Sequence, residues 1–248
     1  MNKKFWKKCA AIALSCMAAF AFVFSFGACG GSGETGKVDF TKLTYVAFGD
    51  SITFGEVGST QEQMEKPYPN LVSETLKFKA VRNYGERNAT IKYIETKPNL
   101  LTKVAGASSK ADIVSVLIGI NDFGAGCKLG TVEDNSCVNS VYGGFNELAN
   151  TLHTKYPDAF IFFMTPLTPF KADFPKTNSA GYTLVELCNV IKEVGERNNI
   201  AVLDLNATSG FSSETDPHCA DGLHPSQYFF TEYMAPQIAQ FIQENYAK

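Results

Sequence analysis

Apolar positions along this chain follow two regimes. From Cys9 to Ala28 they form one uncharged stretch, whereas from residue 43 onward they come in short runs separated by polar segments. Five of the later runs, LTYVAFG, AVRNYG, DIVSVLIG, AFIFFMT and IAVLDL, are rich in β-branched and aromatic residues. Three are nearly continuous in apolar character, as strands are when a parallel sheet is buried on both faces. Helical spacing fills the gaps, most clearly over Val138 to Tyr156, Tyr182 to Asn198 and Ser226 to Tyr246, and less regularly over Tyr68 to Lys79. Pro236 interrupts the last of these. Lacking an N–H, it should kink the helix or begin a new turn. Strands alternating with helices predict an α/β domain whose parallel sheet carries helices on both faces.

Composition narrows this picture without changing it. A chain of 248 residues suits one domain after its leader is set aside. Acidic residues number 25 against 22 basic ones, and Lys3, Lys4, Lys7 and Lys8 lie before the first apolar stretch, so the remainder is more acidic still. Such a surface lacks the basic patch that binding several phosphates requires, which argues against a nucleic-acid partner. The three His and the absence of a CxxC spacing argue against a zinc protein, and His218, Asp221 and His224 match no zinc-ligand spacing. Gly31 to Lys37 has the GxxxxGK spacing of a phosphate loop, but Val38 stands where Ser or Thr is needed and no strand precedes it.

The amino terminus has the layout of an export signal: a basic start, an uncharged apolar stretch, then small residues. The box Phe26-Gly27-Ala28-Cys29 resembles that of bacterial lipoprotein signals, in which the Cys becomes lipidated, with Phe26 where an aliphatic residue is usual. We therefore expect a signal over residues 1–28, a lipidated Cys29 with a flexible tether over 29–42, and the folded domain over 43–248. This arrangement anchors the protein outside the bacterial cytoplasmic membrane. The competing reading is an uncleaved anchor, since the stretch is about long enough to cross ~30 Å of hydrocarbon. Four cysteines remain beyond Cys29. Cys127 and Cys137 are a candidate disulfide closing a short loop, Cys188 and Cys219 a second by subtraction, and the alternative is buried free thiols.

Ligands of parallel α/β sheets bind beyond the carboxyl ends of the strands. There the sequence places Gly49-Asp50-Ser51, Asn83-Tyr84-Gly85 and Gly119-Ile120-Asn121-Asp122, and Asp221-Gly222-Leu223-His224-Pro225 precedes the last helix. A serine hydroxyl needs a base to take its proton, and an imidazole base needs a partner that fixes its tautomer. The spacing of Asp221 and His224 across a glycine turn allows the carboxylate to reach Nδ1 and leaves Nε2 for Ser51. Backbone N–H groups of Ser51 and Gly85 and the side-chain amide of Asn121 are candidate donors for an oxyanion.

Together these blocks resemble the SGNH/GDSL hydrolase family over about residues 43 to 246. The resemblance implies a three-layer α/β/α sandwich of flavodoxin-like type with a five-stranded parallel sheet. It also implies a catalytic triad of Ser51, Asp221 and His224, an oxyanion hole of Ser51, Gly85 and Asn121, and no metal or organic cofactor. Asn88 replaces the second glycine of the family's NxGxxGxT block, a change that bears on local geometry because Asn tolerates positive φ. The expected activity is hydrolysis of carboxylic esters through an acyl-enzyme. Polar loops such as GEVGSTQEQMEKPYP favour a small-molecule or glycan ester with a short acyl group. A lysophospholipase, lipase or thioesterase is the alternative within the family, with Phe54, Phe123, Phe170, Phe174 and Tyr228 available to line an apolar groove. A non-catalytic, membrane-tethered binding protein is the alternative outside it.

Overall fold

The computed structural model describes residues 38–246. The signal, Cys29 and the tether up to Lys37 lie outside the described residues.

Five parallel strands, β1 (Thr44–Gly49), β2 (Ala80–Gly85), β3 (Ile113–Leu117), β4 (Phe160–Met164) and β5 (Ala201–Leu203), form one sheet in the order β2-β1-β3-β4-β5. Side chains alternate across it, yet both faces are buried, which is why the sequence pattern is continuous. Val46, Phe48, Val114, Val116, Ile161 and Phe163 enter one apolar cluster, while Tyr45, Ala47, Ile113, Leu117, Phe162 and Met164 enter the other. Burying each large side chain contributes about 1.5–3 kcal/mol. Ser115 is the buried polar position among the described strands, and its hydroxyl is paired with Tyr45 Oη at 2.8 Å.

Helices cover both faces. The first cluster is completed by α3 (Leu100–Gly106), α4 (Ile120–Gly124), α5 (Val141–Lys155) and α6 (Leu184–Arg197). The second is completed by α1 (Ser51–Phe54), α2 (Tyr68–Leu76), α7 (Leu205–Thr208), α8 (Gln227–Phe229) and α9 (Ala235–Asn245). Caps set the boundaries: Ser140 accepts from Gly143 N to start α5, and Thr183 with Glu186 forms a reciprocal capping box at α6. The expected break at Pro236 takes the form of a π-helical turn, Phe230–Met234, between α8 and α9. Pro236 then falls in the first turn of α9, where a missing N–H is best tolerated.

Two expectations need correction. Residues 38–42, assigned to the tether, belong to the domain: Phe40–Lys42 form a 3₁₀ turn, and Phe40 packs on Phe78 and Tyr246. The Cys127–Cys137 disulfide is not formed, and Cys127, Cys137, Cys188 and Cys219 are all free thiols. Cys127 lies in the apolar core, whereas Cys137 is held elsewhere, its N–H donating to Glu147 and its carbonyl accepting from Tyr93 N. The loop is closed by backbone bonds from Val141 N to Lys128 O and Tyr142 N to Leu129 O. Burial pushes both thiols up to about 11.

Candidate active site

Strand β1 lies between β2 and β3, with Gly49 in register with Gly85 on one side and Leu117 on the other. The helices after β1 and β3 pass to opposite faces of the sheet, which opens a crevice at their carboxyl ends. Ser51 stands at one lip of this crevice as the first residue of α1, and Asn121 at the other in α4. Asp50 caps α1 by accepting from Ile52 N at 3.0 Å. Burial pushes the Asp50 carboxyl up to about 7; the Ile52 bond opposes this, and the neighbouring Asp122 charge adds to it.

The third part comes from the segment before α8. Asp216 is buried and receives Ser226 N at 2.8 Å and Ser226 Oγ at 2.5 Å, closing the loop between them. Within that loop Gly222 has φ +69°, and a Cβ there would lie 2.7 Å from Lys171 N, so the turn needs glycine. The turn directs Asp221 at the His224 ring. Asp221 Oδ2 is 2.7 Å from Nδ1, and Nε2 is 3.0 Å from Ser51 Oγ. Asp221 Oδ1 also accepts the backbone N–H groups of Leu223 and His224, and Ser59 Oγ donates to Oδ2 at 2.9 Å. Burial alone would raise the Asp221 carboxyl, but bonds from the His224 side chain and from the backbone of His224 and Leu223 outweigh it and hold the group down at about 2. A carboxylate fixed at Nδ1 sets the tautomer that leaves Nε2 free to accept the serine proton.

The expected oxyanion donors meet different fates. Ser51 N–H donates to no described residue. Asn121 Nδ2 gives one hydrogen to Ala89 O at 3.0 Å, and its second hydrogen has no described acceptor. Gly85 N–H is instead donated to Asn83 Oδ1 at 2.8 Å, because the Asn83 side chain folds back over the strand end while its amide binds Thr53 O. Gly85 therefore does not supply the third donor. Its need for glycine is steric, since a Cβ there would sit 2.1 Å from Phe54 N. Asn88, the substituted position of that block, has φ +59° and an N–H with no described acceptor, next to the Ala89 carbonyl that holds Asn121.

Two neighbours were not singled out from sequence. Asp122 is fully buried and accepts Ile91 N at 3.1 Å and Lys92 N at 2.8 Å, tying α4 to the chain beyond Asn88. Burial raises it to about 7 against these bonds. Glu56 places Oε2 3.8 Å from His224 Nε2. The aromatics proposed for a groove are mostly packed: Phe123 stacks on Phe174 at 5.2 Å, and Phe170 meets Phe211 at 4.9 Å. Tyr228 is exposed beside His218, and Arg87 lies over the Phe54 ring. An open cavity of about 510 Å³ beyond β2 is lined by Glu86, Arg87, Asn88, Thr96, Lys97 and Pro98. Among the described residues no group of three or more His, Cys, Asp or Glu side chains is arranged to hold a metal ion.

A family model described as GDSL-like lipase/acylhydrolase matches residues 47–228. No curated protein matches the chain. Several solved structures share its fold. The lipase/acylhydrolase from Enterococcus faecalis is 24% identical, with a TM-score of 0.60 over 83% of this chain and 98% of its own. An aryl esterase of M. smegmatis is 16% identical, with a TM-score of 0.63 over 82% and 99%. A carbohydrate acetylesterase family member from Sinorhizobium meliloti is 17% identical, with a TM-score of 0.60 over 82% and 98%.

Proposed function

Since the chain belongs to the GDSL-like lipase/acylhydrolase family, we propose that it is a serine esterase acting through an acyl-enzyme on short acyl groups, such as acetyl, carried by a polar, carbohydrate-like scaffold. The observation that carries this reading is the unbroken chain from Ser51 Oγ through the His224 ring to Asp221, at 3.0 and 2.7 Å. Ser51 Oγ attacks the ester carbonyl as its proton passes to His224 Nε2, and Asp221 stabilises the imidazolium that results. The oxyanion receives hydrogen bonds from Ser51 N–H and Asn121 Nδ2, with Asn88 N–H as the third donor in place of Gly85. The imidazolium then protonates the departing alcohol, and water releases the acid.

The acyl and alcohol preferences have separate support. Packing of Phe123, Phe170 and Phe174 against neighbours leaves them poorly placed to line a long acyl groove, and the cavity beside Asn88 is polar. The Sinorhizobium meliloti protein of like fold is named as a carbohydrate acetylesterase family member. The experiment is hydrolysis of p-nitrophenyl acetate, butyrate and octanoate by wild type and Ser51→Ala. Turnover confined to wild type and falling with chain length is expected. Undiminished turnover by Ser51→Ala would remove the nucleophile, and turnover rising with chain length would replace the acetyl reading with a lipid one.

The amino-terminal layout supports attachment of the domain outside the cytoplasmic membrane through a lipidated Cys29. Cys29→Ser should then move the protein from the membrane fraction to the soluble one; a protein that stays in the membrane fraction would favour an uncleaved anchor.

A further inference from the structure

Glu56 follows the turn that ends α1, and its N–H donates to Ser51 O at 2.9 Å. Its side chain is only 10% exposed, yet its carboxylate accepts no hydrogen bond from a described residue. The Glu56 oxygens are not among the fully buried polar atoms left without a partner, so they reach solvent and are open to a water donor. It faces His224 Nε2 across 3.8 Å. That is too long for a direct bond, but an oxygen placed about 2.8 Å from both atoms spans it.

We propose that Glu56 orients the water that deacylates Ser51, and thereby commits the protein to hydrolysis rather than to passing its acyl group to an alcohol. The inference rests on the serine-esterase reading above. In deacylation the water oxygen bonds to the acyl carbon while one of its protons passes to Nε2. The carbon–Oγ bond then breaks, and the imidazolium returns that proton to Ser51. The second water proton stays on the oxygen and is donated to the Glu56 carboxylate, which neither gains nor loses a proton overall. Water has two protons to satisfy both Nε2 and Glu56. A simple alcohol has one, so once it faces Nε2 it turns lone pairs and an alkyl group toward a buried carboxylate. The acceptor position thus selects water by counting donors.

The test is p-nitrophenyl acetate turnover by the whole protein, with and without methanol, for wild type, Glu56→Ala and the isosteric Glu56→Gln. For an activated aryl ester, kcat/KM reports acylation and kcat reports deacylation when that step is slower. In Glu56→Ala, kcat should fall on the order of 10–100-fold while kcat/KM stays within about twofold. A burst of p-nitrophenol and an acetyl adduct on Ser51 should appear, and methanol should capture a larger share of the acetyl group. Glu56→Gln, whose amide oxygen still accepts, should lie between and serves if the alanine variant fails to fold. Parallel losses in kcat and kcat/KM, or an unchanged share captured by methanol, would overturn the assignment while leaving the esterase intact. A wild type that shows no Ser51-dependent turnover of the ester would overturn the esterase reading and this inference together.

Discussion

The two lips of the crevice are built by different physics. On the Asn121 side the chain is fixed from beneath by a fully buried carboxylate, Asp122, receiving two backbone N–H groups. On the His224 side the carboxylate is Asp221, partly open to solvent, on a glycine turn clamped from outside by Ser59 and by the Asp216–Ser226 closure. Electrostatically they are opposites, Asp122 raised to about 7 and Asp221 held down at about 2. The side that must bind a transient negative charge is thus braced by a buried carboxylate whose charge is disfavoured. The side that must accept and return a proton keeps its carboxylate ionised beside the imidazole, as a working base requires.

Substitutions should separate the two sides, and the largest effect is expected on the base. Asp221→Asn keeps the shape of the turn but removes the charge that stabilises the imidazolium, so kcat should fall by about 10⁴-fold, while the weakened bonds at the turn should cost only about 1–2 kcal/mol of unfolding free energy at pH 7. Activity within about tenfold of wild type would instead make Asp221 mainly a structural clamp. On the other side, Asp122→Asn places an amide opposite two buried N–H groups and can accept from only one, costing about 1–3 kcal/mol of stability at pH 5. The same substitution should also change the pH dependence of stability. With a folded value near 7 and an unfolded one near the reference 3.8, Asp122 gives stability that is fully present below about pH 4 and lost as pH rises through 7. The asparagine variant lacks this loss, so its deficit should narrow by about 2.5 kcal/mol between pH 5 and pH 8. A deficit that widened with pH would mean that Asp122 is ionised in the folded state throughout. Asp221 has the reverse sign: its contribution is present above about pH 4 and fades as pH falls toward 2.

This difference also explains what could be read from the chain. The strands were legible because burial on both faces writes a continuous apolar run, and Ser51, Asn121, Asp221 and His224 because each is a side chain at a strand or turn end. Gly85 was misassigned because an oxyanion donor of this kind is a backbone N–H, whose availability depends on whether Asn83 folds back onto it. Asn88 left a trace, as a residue tolerant of positive φ at a glycine position. Glu56 and Ser59 lie in the loop GEVGSTQEQMEKPYP that the sequence placed near the site, but which of its residues reach His224 depends on how that loop folds. The short helices α3, α4 and α7 lack the length over which a periodicity can be recognised. The Cys127–Cys137 expectation failed because proximity in sequence does not reveal that one thiol enters the core and the other is held by Glu147.

One consequence follows from the Phe40 contact. Phe40 seats against Phe78 and Tyr246 just before β1 begins, at the amino ends of the strands, whereas Ser51 and Asn121 lie past their carboxyl ends. The length of β1, about 20 Å at ~3.3 Å per residue, therefore separates the Phe40 contact from the mouth of the crevice. Strand polarity thus gives the domain two ends, one that seats its first residues against Phe78 and Tyr246 and one that holds the crevice.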